Sequence, residues 1–215
     1  MDYAKNRDYQ NILSTVRLNL VGIAWPTILA FIVAAVVLIL SQIAYTNKVI
    51  GLFPHLIISS YFFYMMYTPL HEAVHQNISG KNNKFKFLNP LLGSISAAFY
   101  LHSYTQHQWS HLEHHKYANN PELDPDIIIK GPTWFSIAAR GFFILLIKDF
   151  FYIKKEGVKN SKAGKKAMRI GTIESLVPII ILVVLTNVFN LPWYHFFVSY
   201  VFPLLFAVML LGIFF

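Results

Sequence analysis

Nine histidines lie in this chain of 215 residues, and they are unevenly spread. Five fall in two tight groups, His71 with His75 and then His111, His114 and His115. Residues four apart share a helix face, so His71 and His75 can offer two imidazoles to one ion. His107, His111 and His115 repeat that spacing, and His114 stands three from His111. A helix over them carries a single imidazole stripe. Neutral imidazole suits iron, zinc, copper and nickel alike. The chain has no cysteine, which excludes disulfides and thiolate sites and leaves nitrogen and oxygen as the metal donors. Two clusters this dense exceed the three protein ligands of a catalytic zinc site, and they point to two metals.

Several of these residues admit two readings. The pentad His71-Glu72-Ala73-Val74-His75 matches H-E-x-x-H, in which two histidines bind zinc and the glutamate is a general base. That would make an intramembrane zinc protease, and it leaves the second cluster without a task. In the other reading Glu72 orients an imidazole. Asp124 and Asp126 either orient histidines of the second cluster or simply form the turns of an Asp-Pro-Asp segment. His102 lies five positions from His107, off its face. His55 is 16 residues before His71, roughly 24 Å away along a helix. It and His195 are expected at the opposite membrane surface as interfacial groups rather than ligands.

The elements that must hold these residues read as membrane spans. Hydrophobic residues make up 55% of the chain and charged residues 13%, where a soluble domain carries about 25% charge. Mean hydropathy is +0.47. This excludes a disordered or fibrous chain and argues against an ordinary soluble enzyme. A span needs about 20 apolar residues. Four such stretches stand out, at about 18–44, 49–71, 170–189 and 192–215, giving two hairpins, with a kink expected at Pro26. The segment 72–169 between the hairpins holds two shorter apolar stretches. Leu88 to Leu101 is too short to span and suits an interfacial or re-entrant helix. Thr133 to Ile153 reads as an interfacial amphipathic helix. Lys154 to Lys166 reads as a basic linker.

Charge sets the orientation. Of 18 Lys and Arg, three precede the first span, fourteen lie between Lys81 and Arg169, and Lys48 alone sits between spans one and two. By the positive-inside rule the N-terminus, the central segment with both histidine groups, and the C-terminus are cytoplasmic. The net charge of +8 is thus explained by topology and contact with anionic membrane lipids, with no nucleic-acid partner.

An HxxxH box at the cytosolic end of a span, with HxxHH further along the chain, resembles the membrane fatty-acid desaturase and hydroxylase superfamily. The continuation from Lys116 through Asn119-Asn120-Pro121 to Asp124-Pro125-Asp126 is similar to the segment after the second box in bacterial desaturases and β-carotene hydroxylases. The resemblance covers about residues 50 to 215. It implies an all-α, multi-pass membrane protein, one desaturase-type domain over 1–215, with a non-haem di-iron centre. His71, His75, His111, His114 and His115 would be ligands, with His107 beside them. The implied reaction is O2-dependent attack on the C–H bonds of a lipid, first of all fatty acyl desaturation, with hydroxylation of a carotenoid or other lipid as the alternative and, beside the zinc protease, an inactive metal-binding remnant as a second. Electrons would come from a cytosolic reductase, ferredoxin or cytochrome-type donor, for which the basic central surface is a docking face. The superfamily normally carries a third, HxxHH-like box after the fourth span, and the chain reaches Phe215 without one. Six imidazoles serve one iron well and two poorly. The expectation is therefore a C-terminally incomplete domain whose second iron site is incomplete.

Overall fold

The computed structural model describes residues 22–80, 83–144 and 162–214. The described residues form helices and turns, with no strand among them. The first helix, α1, covers Trp25–Thr46. Residues 22–24 are not helical, so the first span starts later than the hydropathy suggests, and its expected beginning at 18 lies outside the described residues. Pro26 does not kink α1. It occupies the first turn, where a missing N–H costs nothing.

A short turn with Lys48 at φ 60° leads into α2, Leu52–Val74. α2 is the central helix. It packs against α1, against α3 (Leu88–Phe99) and against the last helix, α7 (Trp193–Phe214). Helix α4 runs Tyr104–Tyr117 and α5 runs Trp134–Ile144. The rest of the stretch expected to continue α5 to Ile153, and the first part of the basic linker, lie outside the described residues. From Lys162 that linker is already helix: α6 covers Lys162–Val188, so its basic first turns extend the apolar stretch expected at 170–189 at one end.

Three of these helices are long and apolar enough to cross a membrane: α1, α6 from Gly164 onward, and α7. α2 has the length but carries His55, Ser59, Ser60 and Tyr61 along its run. Its central place gives His55 and Ser59 hydrogen-bond partners within the protein. The second hairpin is more open than expected. α7 leaves its neighbour α6 to pack on α2 and α5, while α6 packs on α3 and α4. Gly141 and Gly212 make the α5–α7 crossing close, with a Cβ at Gly212 falling 3.4 Å from Gly141 Cα.

α7 contains one π-turn, Phe197–Val201. Beside it lies a polar network that corrects the reading of His55. This residue is 1% exposed and wholly inside the protein. Its Nε2–H donates to the Ser199 carbonyl at 2.7 Å, and its Nδ1 accepts from Ser41 Oγ at 2.9 Å. Tyr45 stacks between His55 and His195, with ring centroids 4.7 and 5.2 Å away. His195 Nε2 contacts Thr46 Oγ1 at 3.2 Å and Gln42 Nε2 at 3.3 Å, so it too is tied to α1. Neither histidine approaches the other imidazoles. The π-turn also sends the Tyr200 hydroxyl to the Phe99 carbonyl at the end of α3, at 2.8 Å.

Candidate metal centre

The first histidine group sits where α2 ends. A helix terminus leaves its last carbonyls without intrahelical partners. Here α4 supplies them: Tyr104 Oη donates to the Ala73 carbonyl at 3.0 Å, and Gln108 Nε2 to that of Val74 at 3.4 Å. Gly93 of α3 makes room, because a Cβ there would lie 2.3 Å from the Tyr104 ring and 2.9 Å from Ala73 Cβ. Asn89, also on α3, holds the loop after His75 through Ile78 N at 3.0 Å and Ser79 Oγ at 2.9 Å. The end of α2 is thereby fixed against the helix that carries the second group.

Four imidazoles converge. His71, His75, His111 and His115 each offer a nitrogen, and these atoms lie within 4.8 Å of one another. Three of them form a near-equilateral triangle. His75 Nε2 is 3.0 Å from His111 Nε2 and 3.1 Å from His115 Nε2, and the last two are 3.0 Å apart. The His71 ring stands over this triangle, 4.6 Å from the His75 ring and 4.8 Å from that of His111.

Protons alone do not satisfy such a triangle. A neutral ring nitrogen either donates or accepts, so three of them cannot close a cycle of hydrogen bonds. One edge always sets like against like. The charged alternative is disfavoured as well, most strongly at the two buried rings. Loss of water, with the neighbouring His71 and His115, pushes His75 down to about 3. Burial and the adjacent His107 push His111 well below its usual value, and burial with His114 lowers His115. His75 Nδ1 is itself buried without a hydrogen-bond partner. A cation resolves the conflict. Ligands about 2.1 Å from an ion stand about 3.0 Å apart at adjacent corners of an octahedron, and about 3.4 Å apart on a tetrahedron. The observed edges are close to the spacing of neighbouring ligands on one ion, so these residues fit a bound metal.

The carboxylates sit around this group. Glu72 Oε1 accepts from His71 Nδ1 at 3.2 Å, and Oε2 accepts from Asn77 Nδ2 at 2.9 Å. A carboxylate only accepts, so the His71 proton is held on Nδ1 and the lone pair on Nε2. Asp124 makes contacts of both kinds. It caps the 3-10 turn Pro125–Ile129 by accepting from Asp126 N at 2.8 Å, and it accepts from His114 Nδ1 at 2.7 Å and Asn119 N at 2.7 Å. Burial raises its carboxyl, but the bonds from His114 and the two amides outweigh this and hold it below the ordinary range. Asp126 is farther from His114, at 3.7 Å.

The spacing places six histidines near the site, and the structure divides them. His114 is turned to Asp124 and Asp126, and those three form a separate group that could hold a metal. His107 is buried and stacks on His111 at 5.6 Å, with His102 5.8 Å from it. Neither His107 nor His102 belongs to the convergent four. The structure also adds a residue to which sequence reasoning assigned no role. Glu174 of α6 accepts three hydrogen bonds from the start of α4. The signal was a lone acid in an apolar span, where a carboxylate is costly unless bonded.

The fatty acid desaturase family profile matches residues 49–215, which takes in both histidine groups and the hairpin beyond them. The chain belongs to the fatty acid desaturase family. It is accordingly a desaturase- or hydroxylase-type lipid oxygenase of the membrane. Neither the curated proteins nor the solved structures contain a significant match.

Proposed function

We propose that the chain uses O2 to oxidise C–H bonds of a lipid-phase substrate, first of all by fatty acyl desaturation, with His71, His75, His111 and His115 holding an iron ion. The observation that carries this reading is the triangle of Nε2 atoms at 3.0–3.1 Å, in a chain of this family. His107 and His114 flank the four and are the imidazoles nearest to hand for a second iron. When bound, iron supplies the means of activating O2 against an unactivated C–H bond.

The chain's own residues do the rest. Burial keeps His75 and His111 neutral and the pKa of His115 is lowered in the same direction, which leaves their lone pairs available to a metal ion. Glu72 and Asp124 hold the protons of His71 and His114 on Nδ1 and fix both rings. A saturated tail offers no polar handle, so α2 and its neighbours position it by packing alone. Removing two hydrogens while O2 becomes two waters consumes two further electrons and two protons. An external reductase, ferredoxin or cytochrome-type donor supplies the electrons from the cytoplasmic side.

The test is expression beside a suitable reductase, with lipid analysis for new double bonds or hydroxyls. Double bonds mark a desaturase and hydroxyls the alternative reading. Products that persist in the His75→Ala/His111→Ala double variant would defeat the assignment of this centre.

A further inference from the structure

Glu174 is the sole acid of α6, ten residues past Gly164 and so about 15 Å along the helix. Both its oxygens are committed to the start of α4. Oε2 accepts from Ser103 Oγ at 2.6 Å and from Thr105 N at 2.9 Å, and Oε1 accepts from Thr105 Oγ1 at 2.8 Å. Ser103 is the N-cap of α4 and accepts from Gln106 N at 3.0 Å. One hydroxyl therefore closes the first turn of α4 on one side and binds α6 on the other. The Thr105 amide is among the donors that a helix start leaves without intrahelical partners.

A second contact lies one turn away. Gly171 leaves a notch in α6 that the Gln106 side chain fills, since a Cβ there would fall 2.3 to 2.5 Å from three Gln106 atoms. The carboxylate fixes α4 along its axis, and the notch fixes its rotation. Six residues beyond Thr105 stands His111, and four further His115.

We infer that Glu174 is a positioning residue for the metal centre, setting the depth and rotation at which α4 presents His111 and His115 to His71 and His75. This rests on the ligand assignment proposed above. The tolerance is small. A rotation of about 10° moves a group at a helix's ~6 Å outer radius by about 1 Å, whereas ligand distances hold to about 0.2 Å.

Cobalt(II) alone is the probe, titrated into the metal-free protein in bilayer nanodiscs, with affinity and visible ligand-field bands as readouts. Glu174→Ala is expected to weaken cobalt binding roughly tenfold, the lower end for residues that hold a ligand in place, and to shift the bands. Glu174→Gln keeps an acceptor for the Thr105 amide and recovers most of both. Thr105→Val, which removes one donor, shifts the bands in the same direction and carries the test where Glu174→Ala does not fold. A contact serving only general stability lowers the thermal midpoint and leaves the spectrum of folded protein alone. Folded Glu174→Ala or Thr105→Val with wild-type affinity and bands overturns the inference, as does a Gln variant no better than Ala. Wild-type protein that binds no cobalt overturns the ligand assignment itself, and this role with it.

Discussion

His55 Nε2 is bonded to the main-chain carbonyl of Ser199, 144 residues away, at the π-turn of α7. π-turns are where carbonyls leave the regular helical ladder, and such an oxygen inside a protein needs a donor. The bond links the first hairpin to the last helix without touching the metal centre. His55→Phe keeps the ring's bulk and removes the donor. Leaving a buried carbonyl unpaired costs about 1–3 kcal/mol. A lower thermal midpoint with unchanged cobalt affinity is expected, and an unchanged midpoint refutes the role.

Metal binding rests on the triangle. Purified aerobically from iron-replete cells, the protein is expected to retain iron in preference to zinc. His111→Ala opens two of the three short edges and is expected to lose nearly all bound metal. Asp126→Ala, 3.7 Å from His114 and outside the four, is expected to keep most of it. Elemental analysis of the three proteins decides the matter. Zinc at one per chain, surviving His111→Ala, would instead favour a site built on His71 and His75 alone.

Acid is expected to destabilise the metal-free protein. His75 is neutral in the folded state down to about pH 3, whereas an unfolded histidine titrates near 6.5. Between these values the unfolded chain binds more protons, so stability falls as pH falls. The loss is about 1.4 kcal/mol per pH unit for each such site at full effect. His111 and His115 add to it in the same direction. Thermal midpoints should be flat above about pH 7 and decline from about 6.5 downward. His75→Gln should soften that decline, and identical slopes in the two proteins would remove the explanation.

Orientation can be read in this cysteine-free chain with single introduced cysteines. At Val49 and Asn190, in the two hairpin turns, an impermeant maleimide is expected to label from outside the cell. At Glu122 and Lys130, beside the histidine helix, it should label only after lysis. The opposite pattern overturns the cytoplasmic assignment of the metal centre.

The histidine groups were legible because helical spacing maps directly onto shared faces. His71 and His75 meet, as do His111 and His115, for the reason their numbering suggests. The spacing did not separate His114 from His111, because which ring turns inward is decided by Asp124, ten residues on and across a turn. Helix limits tracked the hydropathy where polar residues bounded the apolar run. They failed at Lys162–Arg169, where charged residues simply continue a helix beyond its apolar part. His55 looked interfacial by its place along α2. Only the packing of α7 turns that place into an interior one, and no local pattern encodes a contact 144 residues distant.

The four convergent imidazoles come from two helices, and His75 and His111 are 36 residues apart. An ion held between them would close a loop through the whole of α3. In a chain without cysteine that is the thermodynamic counterpart of a disulfide, worth at most on the order of 4 kcal/mol for a loop this long. Unlike a disulfide it can be withdrawn by a chelator, so the helical scaffold would tighten and loosen with the supply of metal.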